Sequence, residues 1–228
     1  MGRVIISEDT TKEPIQMIGK YAGECWGADT SSKSKNFKRG VGCINSEHGR
    51  TMEFPDVYMI LDGYSARVIR EWYTHIGGAP TRLQASTRYI DYEHGFDYVV
   101  PPKIANDEEA AALYQRCINT INWTLTQLED KGIPKEDSAL LLPLGMTTKI
   151  ACKHNFRNLV DMSHQRMCTR AYWEYRELFN DVAQALREYS DEWAILVDGM
   201  FKPKCEELGY CREEKSCGRK PKVLTKHI

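Results

Sequence analysis

Residues 57–73 have the sequence Val-Tyr-Met-Ile-Leu-Asp-Gly-Tyr-Ser-Ala-Arg-Val-Ile-Arg-Glu-Trp-Tyr, which changes from the pattern of a strand to that of a helix. The first five residues are apolar or aromatic, and Asp62-Gly63 is a turn signal at which we expect the strand to end. From Ser65 onward, apolar residues recur at helical spacing, at Ala66, Ile69, Trp72 and Tyr73. Gly77-Gly78-Ala79-Pro80 must end this helix. A strand followed so closely by a helix predicts a fold that mixes the two.

Two longer helices are predicted downstream of this stretch. Apolar residues three or four apart predict a helix over 107–131, with Asn106 and Glu109 as its capping pair. Another long helix is expected to start near His154 or Asn155 and to run through the 180s. We therefore expect helices and strands in one compact domain.

The composition is that of an ordinary folded chain, with 228 residues, 42% of them hydrophobic and 28% charged. Lys and Arg number 31 and Asp and Glu 32, and the formal net charge of −1 argues against binding nucleic acid or a membrane through overall charge. No apolar run reaches the roughly 20 residues that span a bilayer. The N-terminal residues turn acidic too early for a secretion signal, so we expect a cytoplasmic protein with reduced cysteines.

Cationic side chains fall into two groups that suggest an anionic ligand. No Walker loop, no G-x-G-x-x-G after a strand and no H-E-x-x-H helix is present. The first group lies within 22 residues and comprises Arg67, Arg70, His75, Arg82 and Arg88. The second comprises Lys149, Lys153, His154, Arg157, Arg166 and Arg170. Forked guanidinium donors suit a phosphate, but the same pattern also fits two solvated helix faces.

Three ordered blocks carry a family resemblance over nearly the whole chain. The first is His48-Gly49-Arg50-Thr51-Met52-Glu53-Phe54. The second is Arg70-Glu71-Trp72-Tyr73-Thr74-His75-Ile76, followed by Ser86-Thr87-Arg88-Tyr89. The third is Leu142-Pro143-Leu144, then Lys149, Asn155-Phe156-Arg157 and Arg166. In order and internal spacing these blocks resemble the flavin-dependent thymidylate synthases.

The central motif of that family, R-H-R-x7-S, is altered in this chain. Its counterpart is Thr74-His75-Ile76, here called the hallmark segment, followed by nine residues and Ser86. Both flanking arginines are replaced, and the loop is two residues longer around Gly77-Gly78-Ala79-Pro80. Three other family positions differ, with Glu71 for a glutamine, Gln84 for a glutamate and Asp161 for an asparagine. Loss of two forked cations alters a phosphate site, and Arg82 is a candidate to restore one charge.

The resemblance implies a fold and an activity. The expected fold is α+β, with an antiparallel sheet flanked by long helices in residues 1–201 and a basic, cysteine-containing tail over 202–228. The implied enzyme is a homotetramer with FAD that methylates dUMP to dTMP, using methylenetetrahydrofolate as carbon donor and NADPH as reductant. No cysteine nucleophile is needed in that chemistry. The altered motif leaves two alternatives open, a related flavin- and folate-dependent enzyme that modifies a uridylate, for example by hydroxymethylation, and a non-catalytic nucleotide-binding relative.

The resemblance also implies roles for individual residues. Arg166 resembles the arginine that polarises the uracil ring. The dUMP-binding positions are Arg70, Glu71, Gln84, Ser86, Thr87, Arg88, Lys149 and Arg166. The FAD-binding positions are Glu53, Thr74, His75, Ile76, Arg82, Asn155, Arg157 and Asp161. Plainer interpretations stay open: His75 also fits a histidine that ends a helix, Arg157 fits a surface charge, and Glu71 fits an ion pair with a neighbouring arginine.

Three of the eight cysteines recur at a spacing of six in the tail, at Cys205, Cys211 and Cys217. Thiolate–zinc bonds could organise so polar a segment, with His227 as a fourth ligand. Structural zinc sites usually pair cysteines two to four residues apart, however, and the implied chemistry needs no metal. We therefore assign no metal site from the sequence and expect free thiols.

Overall fold

The computed structural model describes residues 2–92 and 95–223 and contains a four-stranded antiparallel sheet. The strands are β1 (Arg3–Ile6), β2 (Asp56–Ser65), β3 (Thr81–Gln84) and β4 (Thr147–Asn155), in the order β1-β2-β4-β3. On the two central strands buried and more exposed residues alternate, because successive side chains of a strand point to opposite faces. The predicted α+β class with an antiparallel sheet is confirmed.

Ten helices accompany the strands in the described part of the chain. They are α1 (Pro14–Cys25), α2 (Lys33–Asn45), α3 (Ala66–Trp72), α4 (Pro102–Ala105), α5 (Glu108–Asp130), α6 (Lys135–Ser138), α7 (Phe156–Arg166), α8 (Trp173–Tyr189), α9 (Asp191–Met200) and α10 (Lys204–Leu208). Short 3₁₀ turns cover Gly49–Glu53 and Ala139–Leu141. None of the helices in these residues is long and apolar enough to cross a membrane.

The chain divides into two compact units. The first comprises the described residues of Met1–Arg3, Leu61–Thr74 and Arg82–Ala151, and includes α3 to α6. Ser65 starts α3, because its hydroxyl accepts a hydrogen bond from the Val68 amide at 3.1 Å. Helix α5 matches the predicted helix over 107–131, but its cap is Asp107 rather than Asn106. The Asp107 carboxylate accepts from the Ala110 amide at 3.0 Å.

The second unit comprises the described residues of Val4–Ile60, His75–Thr81 and Cys152–Ile228, and includes α1, α2 and α7 to α10. Its core is formed by buried faces of α7, α8 and α9, where Phe156 meets Trp193 edge to face with ring centroids 5.6 Å apart. Helices α1 and α2 pack closely against each other at Gly40. A Cβ at Gly40 would lie 2.0 Å from the Ile15 carbonyl oxygen, so only glycine allows this approach.

The predicted long helix from His154 through the 180s is wrong, because β4 occupies its start and two helices follow. Asn155 is extended, and its side chain caps α7 by accepting from the Asn158 amide at 2.9 Å. Between α7 and α8 the chain leaves the helix. The Arg176 guanidinium there donates to the carbonyls of Thr169 and Ala171, at 2.8 and 2.7 Å. A side chain thus satisfies the carbonyls that a continuous helix would have bonded.

The turn predicted at Asp62-Gly63 is also wrong, since β2 continues to Ser65. Gly63 has a left-handed φ of 79° without ending the strand. Asp62 is held in place by Arg3, whose guanidinium donates to its carboxylate at 2.8 Å. The ion pair with Arg3 therefore lets Asp62-Gly63, a pair that is typical of turns, lie within a strand.

Candidate functional site

Arg166 is the last residue of α7 and contacts two buried aromatic side chains of the second unit. Its Nε donates a hydrogen bond to Nε2 of His75 at 2.9 Å. Its guanidinium carbon lies 4.5 Å from the centre of the Tyr175 ring. The rings of His75 and Tyr175 meet edge to face at 6.0 Å. We call these three residues the Arg166 cluster.

Hydrogen bonding fixes which ring nitrogen of His75 accepts in the Arg166 cluster. His75 is 9% exposed and Tyr175 is fully buried. Because a guanidinium can only donate, Nε2 of His75 must be the acceptor and the ring proton must be on Nδ1. A lone pair of His75 and the face of the Tyr175 ring therefore both contact the Arg166 cation.

The start of α7 brings together several of the predicted flavin positions in the same unit. Arg157 donates through Nη1 to the Glu53 carboxylate at 2.7 Å. Arg157 and Asp161 both line a cavity of about 480 Å³ whose other walls include Val160, on α7, and Leu196, on α9. The N-terminus of α7 adds a partial positive charge, and its Phe156 and Asn158 amides donate to the Pro55 carbonyl and to the Asn155 side chain. This end of the unit offers donors for an anionic group and an apolar wall beside them.

The loop after the hallmark segment is tightly built against the α7 cap. Gly78 and Ala79 are both left-handed, with φ of 70° and 50°. A Cβ on Gly78 would lie 2.2 Å from Nδ2 of Asn155. Ile76 is 73% exposed in the same segment, where the family has a second arginine. The loop therefore depends on glycine, and Ile76 presents an apolar side chain in place of a cation.

In the first unit the two predicted phosphate-binding cations are each paired with a carboxylate. Lys149 is on the exposed side of β4, with Nζ 3.3 Å from the Asp62 carboxylate. Burial raises the pKa of Asp62, but hydrogen bonds from Arg3 and Lys149 outweigh it and hold the pKa below its ordinary value. Arg88 Nε lies 3.1 Å from the Glu136 carboxylate. A phosphate binding here would share these cations with carboxylates of the chain.

Other predicted nucleotide positions lie along β3 and the loop that follows it. Gln84 donates to the Thr148 hydroxyl at 3.4 Å, and the Ala85 amide donates to the Lys149 carbonyl at 2.8 Å. Ser86 accepts from the Arg88 amide at 3.3 Å, a short turn that begins the loop. Thr87 is half-buried in that turn. The strand pairing therefore brings Gln84 and Ser86 next to the strand that carries Lys149.

The remaining predicted positions of the first unit are around α3. Arg70 is exposed and Glu71 half-buried on that helix. The Thr74 hydroxyl donates to the Glu71 carbonyl at 2.7 Å, closing the helix end. Arg82 donates to the Trp72 carbonyl at 3.3 Å and lies 4.8 Å from the Tyr73 ring centre. Arg82 is thus used to hold the end of α3 within its own unit.

Tyr175 and Asp62 were not among the predicted site residues. The spacing of nine between Arg166 and Tyr175 gives no signal of contact. Asp62 was interpreted as part of a turn. Alternation along a continuous β2 is the signal that would have placed it on the exposed face with Lys149.

Within residues 2–92 and 95–223, no group of three or more His, Cys, Asp or Glu side chains could hold a metal ion. His227, the fourth ligand considered for the tail cysteines, lies outside the residues that the structure describes. All eight cysteines are free thiols.

Comparison with known proteins identifies the family. Residues 8–190 match the family described as thymidylate synthase complementing protein. A flavin-dependent thymidylate synthase of Pyrococcus furiosus is 31% identical over 89% of this chain and 86% of its own length, and one of Nitratidesulfovibrio vulgaris is 28% identical over 92% of each. The crystal structure of thymidylate synthase X from Helicobacter pylori with FAD and dUMP superposes with a TM-score of 0.67 at 18% identity, covering 89% of this chain and all of that one. The fold is thus shared, the resemblance seen in the sequence blocks is confirmed, and the chain belongs to the thymidylate synthase complementing protein family.

Proposed function

We propose that the chain is a flavin-dependent thymidylate synthase that converts dUMP to dTMP by reductive methylation. Relatives that bear this name match it over most of its length. The observation that carries the proposal is the Arg166 cluster, because it holds a partly buried guanidinium in a fixed orientation. Such a preorganised charge stabilises an electron-rich ring as negative charge develops on it.

The donor set of the second unit fits FAD. Arg157 supplies guanidinium donors for a diphosphate beside an apolar wall, and the N-terminus of α7 adds a partial positive charge. We assign FAD binding in this unit to Glu53, His75, Ile76, Asn155, Arg157 and Asp161. In the first unit we assign it to Thr74 and Arg82. The chemistry that FAD supplies when bound is transfer of a hydride to the one-carbon unit.

The nucleotide is assigned to the cations of the first unit. Ser86, Arg88 and Lys149 would bind the dUMP phosphate through charge-assisted hydrogen bonds. Arg70, Glu71, Gln84 and Thr87 complete the dUMP group that we assign. Since Asp62 and Glu136 partly neutralise Lys149 and Arg88, binding of the dianion requires that these pairs loosen or that the phosphate bind beside them.

Arg166 is assigned the catalytic role. Its guanidinium would lie against the uracil oxygen on which charge grows when the ring becomes nucleophilic. His75 accepts from Nε and so fixes the plane of the guanidinium. Tyr175 covers one face of the cation and excludes water from it. The chain thus orients the charge before the reaction begins, which avoids the cost of reorganisation.

Several further properties belong to this proposal. We infer methylenetetrahydrofolate as the carbon donor, NADPH as the reductant and a homotetramer as the working assembly. We also infer a cytoplasmic location, with small molecules rather than nucleic acid or a membrane as partners. Residues 1–201 would form the enzyme domain and residues 202–228 an appended tail. The family relationship supports the enzyme domain, since its match ends at residue 190.

The test is an absorbance scan of purified protein followed by turnover of dUMP with methylenetetrahydrofolate and NADPH. We expect a bound flavin spectrum and a product of the mass of dTMP. A hydroxymethylated product would instead support the uridylate-modifying alternative, which the replacement of two arginines by Thr74 and Ile76 motivates. Protein that binds dUMP but cannot be loaded with FAD would overturn the proposal. Arg166→Ala is the matched variant, expected to keep the flavin spectrum and lose turnover.

A further inference from the structure

Four of the eight cysteines line one cavity of the second unit. The cavity has a volume of about 410 Å³ and is bounded by the α7–α8 connection and by residues 203–217. Its sulfur-bearing residues are Cys168, Cys205, Cys211 and Cys217. Cys205 lies within electrostatic range of each of the other three thiols. The three tail cysteines, which recur at a spacing of six, therefore line the same cavity as Cys168.

Cys217 differs from the other three in exposure and in hydrogen bonding. It is exposed, whereas Cys211 is buried and Cys168 and Cys205 are partly buried. The Thr169 side chain and the Arg219 backbone amide hydrogen-bond to the Cys217 sulfur and, with the Arg219 charge, lower the pKa of Cys217. Burial, by contrast, raises the pKa of Cys205. An accessible thiol that favours the thiolate therefore lines the same cavity as Cys205, whose pKa is raised.

Exposed ion pairs are among the contacts that hold the tail segment. Arg170 pairs with Glu213 at 3.0 Å and Arg219 with Glu206 at 3.3 Å, and all four side chains are at least one-third exposed. Exposed ion pairs of this kind contribute about 0–1 kcal/mol each. After α10, the described part of the tail has β-type backbone pairing in a bridge between Cys211 and Lys222. A covalent bond between Cys217 and the cavity thiols would therefore change how firmly the segment is held.

We propose that Cys217 is a site of reversible oxidation by hydroperoxides and that another thiol of the cavity traps it as an intramolecular disulfide. The Cys217 thiolate attacks a peroxide oxygen, the O–O bond breaks, and the sulfur becomes a sulfenic acid while the leaving oxygen takes a proton to form water or an alcohol. A neighbouring thiol then attacks that sulfur. An S–S bond forms, the S–O bond breaks, and the oxygen leaves as water with the proton of the second thiol. Two thiols are oxidised and one peroxide is reduced. The proposal is independent of the proposed function.

The experiment treats reduced, full-length protein with hydrogen peroxide and maps its peptides without reductant. We expect a peptide pair that links Cys217 to Cys168, Cys205 or Cys211, a loss of two hydrogen masses per chain, and full reversal by dithiothreitol. Before oxidation, Cys217 should react with iodoacetamide at neutral pH on the order of tenfold faster than Cys25, because more of it is thiolate. A disulfide between two chains, or oxidation first at Cys25, would overturn the proposal.

Matched serine variants separate Cys217 from a general effect of exposed thiols. Cys217→Ser should form no disulfide under the same peroxide treatment. Cys117→Ser removes an exposed thiol of α5 that does not line the cavity, and it should form the disulfide as the unaltered protein does. If Cys217→Ser still forms an intramolecular disulfide at the original rate, Cys217 is not the reactive thiol and the proposal is wrong.

Discussion

Nε of Arg166 donates to Nε2 of His75 at 2.9 Å, which joins the end of α7 to the one residue of the hallmark segment that keeps its family identity. The two arginines that flank this histidine in the family are Thr74 and Ile76 here. The histidine has a contact inside the second unit that does not depend on those arginines. The altered motif therefore preserves the part that orients Arg166.

Tyr175 is expected to position Arg166 through the face of its ring. Tyr175→Phe keeps the ring and should retain most of the turnover. Tyr175→Leu loses the cation–π contact, worth about 0.5–2 kcal/mol, and should lower kcat by about two- to thirtyfold. Steady-state kinetics on both variants checks this, with circular dichroism to confirm folding. Equal activity of the phenylalanine and leucine variants would show that the ring has no such role.

Arg88 and Arg166 are expected to affect different kinetic constants. Arg88→Ala removes a phosphate donor and should raise the KM for dUMP by about ten- to a hundredfold, since hydrogen bonds to charged groups contribute about 1.5–3 kcal/mol. Arg166→Ala should lower kcat more than it raises KM, because its charge is needed as the ring becomes anionic. Small and equal changes in both variants would mean that the site is misassigned.

Asp62 is expected to weaken phosphate binding by neutralising Lys149. Asp62→Asn leaves the ammonium without its carboxylate partner, and the affinity for dUMP should rise about two- to fivefold, the range of an exposed ion pair. Isothermal titration with dUMP measures it. The control is Asp56→Asn, which removes the carboxylate 2.8 Å from Lys153, a lysine outside the assigned site. A similar gain in both variants would point to overall charge rather than to Lys149.

Stability is expected to fall as the pH drops through the ordinary histidine range, because of His164. Burial lowers the pKa of His164 below 6.5 and outweighs the Glu207 carboxylate, which lies 2.8 Å away and acts in the opposite direction with Asp161. Lys204 and Lys202 lower it further. The unfolded chain therefore binds a proton that the folded chain does not, so protonation favours unfolding.

The measurement for His164 is urea unfolding from about pH 8 to about pH 5. Stability should decline below about pH 6.5 in the unaltered protein, and His164→Gln should flatten that decline. Burial raises the pKa of Glu207, but a hydrogen bond from Lys204 and the charge of His164 hold it below its ordinary value. Its contribution is therefore lost only at lower pH, below about 4.5. A steeper decline in His164→Gln would contradict the assignment.

Gly40 is expected to be essential for the contact of α1 with α2. Gly40→Ala would place its Cβ 2.0 Å from the Ile15 carbonyl oxygen, and forcing the helices apart should destabilise the protein by about 1–3 kcal/mol or more. Gly42→Ala is the control on the same helix, since its Cβ meets nothing within 4 Å. That variant should be neutral or more stable by up to about 1 kcal/mol. Thermal unfolding of both variants measures the contrast.

The sequence predicted the elements whose signals are local. Periodicity located α3 and α5, and family blocks indicated the assigned residues. The start of α7 was misjudged because β4 and α7 adjoin without a linker, so the apolar residues of a strand and of a helix run together. The Asp62–Lys149 pair and the Arg166 cluster join residues far apart in the chain. Pairing of this kind is decided by packing, which no spacing in the sequence encodes.

The contact between Gly78 and the α7 cap limits how this protein can diverge. Any side chain at Gly78 would displace the amide of Asn155, and losing that cap would cost about 1 kcal/mol at the start of the helix that carries Arg166. A substitution at Gly78 in the loop therefore requires a compensating substitution at the N-cap of α7. Thr74 and Ile76 show that the residues on either side of His75 can vary in a member of this family. A folded homologue with another residue at position 78 should, by contrast, also carry a substitution at position 155.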